Sequence, residues 1–302
     1  MTKPARSLLG IEELQADDVL DVLRLARRMH PQRSRPLLRD RRVALLFYEA
    51  STRTRVSFEF AAKALGATTT LIQATASSIE KGESLLDTAH TLRALGADAI
   101  VIRHPSSGAP HLLARHLDVP IINAGDGMHE HPSQALLDAY TLLRHKKNLR
   151  GLRIALVGDI YHSRVARSNI HLLSKLGARV VLCGPPELAP EVALSLAPGL
   201  QLTRHLEEAV RGADVIMLLR VQKERLAGKQ IRFEEYVAGY QLTAERLRLA
   251  RRDAIVMHPG PMIRSTEIAS EIADAPQSVI LEQVNNGVPV RMAILLRALR
   301  TR

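Results

Sequence analysis

Val43-Ala44-Leu45-Leu46-Phe47 is an unbroken apolar run that leads into a polar segment and then into a helical pattern at 55–65. The same order occurs at Ile154-Ala155-Leu156-Val157, which is followed by a polar loop that contains Arg164. Short continuous apolar runs are typical of strands that are buried on both faces, as in parallel sheets covered by helices. Each half of the chain is therefore predicted to contain a strand, a cationic loop and a helix in that order.

Outward from these two units, short apolar runs alternate with longer helical patterns. This alternation predicts an α/β fold with parallel sheets. In open parallel sheets, ligands bind beyond the carboxyl ends of the strands, so the two cationic loops could face each other across a cleft. The remaining strands are predicted at 69–72, 99–102, 120–123, 180–182, 215–218 and 254–257, and further helices at 85–95, 132–144 and 288–300.

The composition indicates a folded protein of two domains. The chain has 302 residues, about twice a common domain length, with 46% hydrophobic and 24% charged residues. No apolar run is long enough for a signal peptide or a membrane span, so we expect a cytoplasmic protein. Cys183 is the single cysteine and cannot form an internal disulfide; at the end of a predicted strand, it is expected to be an inert core residue.

The formal net charge of +11 is compatible with three partners: nucleic acid, an anionic membrane surface or small anionic substrates. The arginines are spread along the whole chain. Aromatic residues make up only 3% of it, with no tryptophan, which leaves few platforms on which bases could stack. The charge pattern therefore favours small anions and argues against nucleic acid and membranes as partners.

The polar segment after the first strand carries the strongest chemical signal. It reads Tyr48-Glu49-Ala50-Ser51-Thr52-Arg53-Thr54-Arg55 and places hydroxyl and guanidinium groups at a strand-to-helix turn. Backbone N–H groups and the dipole at a helix N-terminus attract an anion, and arginine adds donors whose geometry suits phosphate. Phosphate is therefore the predicted ligand, and an ordinary capped helix with solvated arginines is the alternative.

Ser51-Thr52-Arg53-Thr54-Arg55 resembles the carbamoyl-phosphate motif of the aspartate and ornithine carbamoyltransferase family, and further segments resemble that family in chain order over 46–296. The resemblance implies two domains, each a parallel sheet flanked by helices, with the active site in the interdomain cleft. Residues 1–133 and 286–302 would form the carbamoyl-phosphate-binding domain, and residues 134–285 the aspartate-binding domain. The segment 283–288 resembles the entrance to the family's last helix.

The resemblance also implies the residues that bind carbamoyl phosphate. Residues 77–84 resemble a mobile loop that enters the active site of a neighbouring subunit, which points to Ser77 and Lys81. Arg103-His104-Pro105 and His131-Pro132-Ser133-Gln134 resemble contacts to the phosphate and the carbamoyl group. The implied set is Ser51, Thr52, Arg53, Thr54, Ser77, Lys81, Arg103, His131, Gln134, Pro259 and Gly260, of which Arg53, Thr54, Lys81, Arg103 and His131 would be catalytic.

Segments of the second half resemble the family's aspartate site. Arg164 matches an aspartate-binding arginine, and Leu219-Arg220-Val221-Gln222-Lys223-Glu224-Arg225 matches the segment that distinguishes aspartate users. Met257-His258-Pro259-Gly260-Pro261 resembles a loop whose backbone accepts hydrogen bonds from substrate amines. The implied aspartate-binding residues are Lys81, Arg164, Arg220, Gln222, Gly260 and Pro261, and Glu49 and Arg225 are implied to join Arg164 on domain closure.

The chain departs from the family's pattern at one position. Bacterial relatives often have asparagine where this chain has Ile263, so no polar role is assigned to that residue. A metal site at His129 and His131 would lack a complete set of ligands, and no metal or other cofactor is predicted.

The implied activity is carbamoyl transfer from carbamoyl phosphate to L-aspartate, the second step of de novo pyrimidine biosynthesis. The implied assembly is a homotrimer that shares its active sites between subunits, and regulatory chains or a dihydroorotase are further possible partners. Three alternatives stay open: transfer to ornithine or another amine, a catalytically silent scaffold, and a basic nucleic-acid-binding module. Arg220-Val221-Gln222 argues against ornithine, and the filled catalytic positions argue against the scaffold.

Overall fold

The computed structural model describes residues 6–33, 36–73, 82–221 and 232–300. The chain divides into two compact units, Met1–Tyr140 with Asn286–Arg302, and Thr141–Asn285. The first boundary between the units, after Tyr140, lies inside the helix Pro132–His145. The family resemblance implied a domain boundary after residue 133. None of the helices within the described ranges combines the length and apolar character that a membrane span requires.

The first unit is built on a four-stranded sheet in which every neighbouring pair is parallel, in the order β2-β1-β3-β4. Its core contains Ala44, Leu46, Ile100, Ile102 and Leu113, which come from two central strands and a covering helix. The strands are β1 (Arg42–Phe47), β2 (Thr68–Gln73), β3 (Ala99–His104) and β4 (Ile121–Asp126). The helices are α1 (Ala16–Arg27), α2 (Thr52–Ala64), α3 (Leu85–Ala94), α4 (Ala109–His116) and α5 (Pro132–His145), in which the first boundary between the units lies.

The second unit contains a five-stranded parallel sheet in the order β7-β6-β5-β8-β9. Its strands are β5 (Arg153–Val157), β6 (Arg179–Cys183), β7 (Gln201–Thr203), β8 (Val215–Leu218) and β9 (Ile255–Met257). Its α-helices are α6 (Arg164–Lys175), α7 (Leu206–Val210), α8 (Phe233–Tyr240), α9 (Ala244–Leu247) and α10 (Ser270–Ala273), and a 3₁₀ helix lies at Glu191–Leu196. The last helix, α11 (Ile280–Leu299), begins in this unit and continues into the first.

Two differences between the prediction and the structure have a local cause. Strand β7 was not predicted, because its three residues at the sheet edge form no apolar run. Helix α11 begins at Ile280, although the sequence predicted a helix from residue 288 and a helix entrance at 283–288. Gly287 and Pro289 are weak helix formers that hide the continuity of this helix, and both lie inside it.

Cys183 lies fully buried at the end of β6, and burial raises the pKa of its thiol to about 12. Because the thiolate is the reactive form, we expect iodoacetamide at neutral pH to leave the folded chain unmodified and to alkylate the chain in denaturant. Mass spectrometry of both samples measures the difference. Equal rates of modification in the two samples would contradict the buried placement.

Candidate active site

Three predicted segments of the first unit follow neighbouring strands of its sheet. Strand β1 leads into Glu49 and the start of α2, β3 ends with Arg103-His104, and β4 leads into the loop before His131. Because β1, β3 and β4 are adjacent and parallel, these segments lie at the same edge of the sheet, where α/β proteins bind ligands.

The N-terminus of α2 is suited to an anion. Ser51 is the N-cap residue, and its side chain makes no capping hydrogen bond within the described part of the chain. The first turn of α2 holds no acidic residue, and Thr52 and Arg53 are exposed there. Backbone N–H groups, hydroxyl groups and a guanidinium group are thus concentrated at the positive end of the helix dipole.

Two motifs that are far apart in the sequence meet at Thr54. The Thr54 hydroxyl lies 3.5 Å from Nε2 of His131, although the two residues are 77 positions apart. Both are buried, with exposed fractions of 5% for Thr54 and 4% for His131. The predicted phosphate motif and the predicted carbamoyl contact therefore form one polar site, where burial strengthens electrostatic interactions.

Arg103 is held between the ends of two strands. Its Nε lies 3.1 Å from a carboxylate oxygen of Glu49, and its Nη1 donates a hydrogen bond of 3.5 Å to the carbonyl of Ala124. Its side chain is 16% exposed and that of Glu49 is 32% exposed, so the ion pair is partly shielded from water. The sequence predicted Glu49 as a partner of Arg164 and Arg225 and did not predict this pair.

The loop that leads to His131 is held by Asp126, which is fully buried. One carboxylate oxygen accepts hydrogen bonds from Asn123 Nδ2 at 2.8 Å and from the Glu130 amide at 3.1 Å, and the other accepts from the Gly108 amide at 2.7 Å. Burial alone would raise the pKa of Asp126, but the hydrogen bonds from His129, Asn123 and Gly108 lower it. Asp126 is therefore an ionised anchor for the loop.

Gly127 and His129 complete this loop. Gly127 has a φ of +47°, and a Cβ atom there would lie 2.7 Å from the Ser107 amide nitrogen, so a larger residue would clash.

One possible ligand atom from each of His111, Asp126 and His129 lies within 4.8 Å of the others, as in metal sites. Both carboxylate oxygens of Asp126 already take part in hydrogen bonds, and one of them lies 3.1 Å from His129 Nδ1. We therefore assign these three residues to holding the loop that leads to His131.

In the second unit, three neighbouring strands carry the predicted aspartate residues. Strand β5 is followed by Arg164, β8 by Arg220 and β9 by the segment 259–261, and β5, β8 and β9 are adjacent in the sheet. Gly158 has a φ of +119°, and a Cβ atom there would lie 2.8 Å from the carbonyl of Leu219. Glycine therefore lets the ends of β5 and β8 approach each other. Arg164 is half-buried and Arg220 is exposed.

Arg164 is placed by the turn that begins α6. The buried carboxylate of Asp159 accepts a hydrogen bond of 3.0 Å from the His162 amide and lies 2.9 Å from His162 Nδ1. Ser163 is the N-cap, and its hydroxyl accepts from the Ala166 amide at 3.1 Å. Arg164 is thus the first residue of a capped helix.

The segment 259–261 is fixed by a buried pair, His258 and Glu267. His258 Nδ1 accepts from the Gly260 amide at 2.8 Å, so Nε2 carries the proton and donates to Glu267 at 2.9 Å. The same Glu267 oxygen accepts from the Ile263 amide at 2.7 Å. Gly260 has a φ of +67°, and the peptide bond to Pro261 is cis. The sequence predicted the segment but not the pair that supports it.

Four of the predicted site residues, Ser77, Lys81, Gln222 and Arg225, lie outside the described residues. The other predicted residues occupy two sets, one at each sheet. The first comprises Glu49, Ser51, Thr52, Arg53, Thr54, Arg103, His131 and Gln134, and the second comprises Arg164, Arg220, Pro259, Gly260 and Pro261.

Two family models match the chain, one after the other. Residues 6–144 match the family model described as aspartate/ornithine carbamoyltransferase, carbamoyl-P binding domain. Residues 150–298 match the one described as aspartate/ornithine carbamoyltransferase, Asp/Orn binding domain. The two matches span nearly the whole sequence, and the chain belongs to the aspartate/ornithine carbamoyltransferase family.

Individual relatives lie on both branches of this family. The chain is 66% identical over 294 residues to the aspartate carbamoyltransferase catalytic subunit of Koribacter versatilis, covering 97% of each chain. Aspartate transcarbamoylase from Trypanosoma cruzi, in complex with carbamoyl aspartate and phosphate, matches with a TM-score of 0.89 and 33% identity, over 99% of this chain and 97% of that one. Ornithine carbamoyltransferase from Pyrococcus furiosus also matches, with a TM-score of 0.89, 28% identity and coverages of 99% and 98%.

Proposed function

We propose that this chain catalyses the reaction of carbamoyl phosphate with L-aspartate to give N-carbamoyl-L-aspartate and phosphate. The observation that carries the proposal is the approach of Thr54 to His131 at the N-terminus of α2. At this site, Thr54 and His131 can donate hydrogen bonds to a carbonyl oxygen beside a helix N-terminus that suits an anion. The site lies in the part of the chain that matches the carbamoyl-P binding domain. The Trypanosoma cruzi relative was solved with the two products of this reaction, carbamoyl aspartate and phosphate.

Carbamoyl phosphate occupies the first set of residues in this proposal. Its phosphate accepts hydrogen bonds from the amides and hydroxyls at the start of α2 and from the guanidinium groups of Arg53 and Arg103. Gln134 contacts the carbamoyl group, and Ser77, Lys81, Pro259 and Gly260 complete the site. The positive charges of Arg53 and Arg103 offset the cost of bringing a second anion close.

L-Aspartate occupies the second set. Guanidinium groups bind carboxylates through two parallel hydrogen bonds, so Arg164 and Arg220, with Gln222 and Lys81, suit a dicarboxylate. The backbone at Gly260 and Pro261 accepts from the substrate amine. The ornithine carbamoyltransferase of Pyrococcus furiosus has the same fold, so the choice of amine depends on these side chains and not on the architecture.

In the transfer step, the neutral α-amine attacks the carbonyl carbon, the new C–N bond forms and the C–O bond to phosphate breaks. Thr54, Arg103 and His131 stabilise the negative charge that develops on the carbonyl oxygen. The leaving phosphate takes the proton that the amine loses, so the step needs no side-chain base. Correct placement of the two substrates supplies much of the acceleration.

Phosphate release from carbamoyl phosphate by the purified chain tests the proposal, with L-aspartate and L-ornithine offered in separate reactions. We expect release that depends on aspartate, with carbamoyl aspartate identified by its mass. Turnover with ornithine alone would overturn the assignment of Arg164 and Arg220. Absence of turnover with both amines would favour the scaffold interpretation.

We also propose a homotrimer in which Lys81 acts in the active site of the neighbouring subunit. Trimers of Lys81→Ala chains alone or Arg53→Ala chains alone are then expected to be nearly inactive. The equimolar mixture as a whole is expected to regain about a quarter of the wild-type activity, because random assembly leaves about one site in four intact. Activity after unfolding and refolding of an equimolar mixture measures this, and no gain over the separate variants would rule out shared sites.

A further inference from the structure

Gln134 is held by a residue one helical turn further along α5. Its side-chain amide nitrogen, Nε2, donates a hydrogen bond of 2.9 Å to a carboxylate oxygen of Asp138. Positions four apart lie on the same face of a helix, so the contact is built into α5. Asp138 is fully buried and Gln134 nearly so, which protects the contact from competing water.

The charge of Asp138 lies near a buried arginine. Arg291 is 3% exposed, and its guanidinium carbon lies 5.1 Å from the centre of the Phe58 ring in α2. Burial lowers the pKa of Arg291 to about 9, and the nearby carboxylate of Asp138 opposes this shift. A side chain at Gly287 would collide with the guanidinium group of Arg291. Arg291 is therefore a buried cation near the carboxylate of Asp138.

This arrangement determines which end of the Gln134 amide remains for a ligand. The group of Gln134 that faces Asp138 is its NH₂ group, which is the only donor of the side-chain amide and donates to the carboxylate oxygen. The carbonyl oxygen Oε1 is then the end left to contact a ligand, and an oxygen acceptor recognises a donor. Without Asp138, the amide could rotate and present either end.

We propose that Asp138 is a positioning residue that fixes the amide of Gln134 so that Oε1 accepts from the NH₂ group of a carbamoyl ligand and discriminates against a methyl group there. The proposal rests on the proposed function, because Gln134 is assigned to the carbamoyl group. The carbamoyl NH₂ and the methyl group of an acetyl compound have similar sizes. Hydrogen bonding therefore has to distinguish them, since an unpaired buried acceptor is costly.

Two stable phosphonates provide the test: phosphonoacetamide, which has the NH₂ group, and 2-oxopropylphosphonate, which has a methyl group in its place. Their Kd values for the full chain are measured by calorimetry, with inorganic phosphate as the control ligand. For the wild type, we expect phosphonoacetamide to bind about 10- to 100-fold more tightly than the ketone. Equal binding of the two phosphonates would overturn the proposal.

Three variants separate positioning from folding. Asp138→Asn keeps an acceptor oxygen and should retain most of the wild-type preference. Asp138→Ala should reduce the preference to within about threefold and leave the affinity for inorganic phosphate unchanged. Asp138→Ala leaves the buried Arg291 without the nearby carboxylate, which could prevent folding. The double variant Asp138→Leu with Arg291→Met removes both groups and should show the same loss of preference. Retention of the full preference in folded Asp138→Ala, or in the folded double variant Asp138→Leu with Arg291→Met, would overturn the proposal. A wild type that prefers the amide but transfers nothing to aspartate would contradict only the proposed function.

Discussion

Replacement of Arg220 by alanine is expected to lower kcat/KM for aspartate by about 10²- to 10⁴-fold, because it removes about two charge-assisted hydrogen bonds, each worth roughly 1.5–3 kcal/mol. Arg220 lies two residues after the end of β8 and is exposed, so the substitution leaves the core of the second unit intact. Steady-state kinetics at saturating carbamoyl phosphate measure the effect. The Kd for phosphonoacetamide should remain unchanged, since the loss concerns aspartate alone.

Arg232→Ala is the matched control for this experiment. Arg232 is an exposed arginine of the same unit that pairs with Glu235 at 2.8 Å within one helical turn. Its removal should leave both kinetic constants near their wild-type values, because exposed pairs of this kind contribute little. If Arg220→Ala behaves like Arg232→Ala, Arg220 does not bind aspartate.

Replacement of Arg103 by alanine is expected to lower kcat by about 10²- to 10⁴-fold and to weaken the binding of carbamoyl phosphate. The substitution removes a guanidinium group that contacts both the phosphate and the developing carbonyl charge in the proposed site. It also leaves the carboxylate of Glu49, now 3.1 Å from Arg103, close to an incoming dianion without that positive charge. Rapid-mix kinetics and calorimetry with phosphonoacetamide measure the two effects.

Arg93→Ala is the corresponding control in the first unit. Arg93 donates two hydrogen bonds to Asp118, at 2.7 and 3.0 Å, on the exposed surface. Activity should be unchanged when this pair is lost. A loss of activity in Arg93→Ala as large as that in Arg103→Ala would show that the assay responds to destabilisation of the unit rather than to the site.

Much of the fold could be predicted from the sequence, because buried parallel strands are continuous apolar runs. The strands at 42–47, 153–157 and 215–218 in the structure were each predicted to within one residue of their ends. Strand β7 gave no such signal, since an edge strand of three residues needs no apolar run. Helix α11 was predicted too short, because Gly287 and Pro289 are weak helix formers and yet lie inside the helix.

The candidate residues could be named from motifs, but the residues that hold them could not. Asp126 and Glu267 are buried carboxylates whose partners Gly108 and His258 become neighbours only in the folded chain. No local pattern distinguishes such a carboxylate from a solvated one, because its role depends on burial and on contacts to other segments. The contact of Glu49 with Arg103 likewise joins the ends of two adjacent strands and has no sequence signature.

A competition experiment tests the central claim most directly. The purified chain is given carbamoyl phosphate labelled with ¹³C at the carbonyl carbon, together with equal concentrations of L-aspartate and L-ornithine, and the labelled products are followed by NMR. We predict that the label appears in N-carbamoyl-L-aspartate and in no ornithine adduct. Label in an ornithine adduct, or only in bicarbonate, would contradict the assignment of this chain as a carbamoyltransferase that uses aspartate.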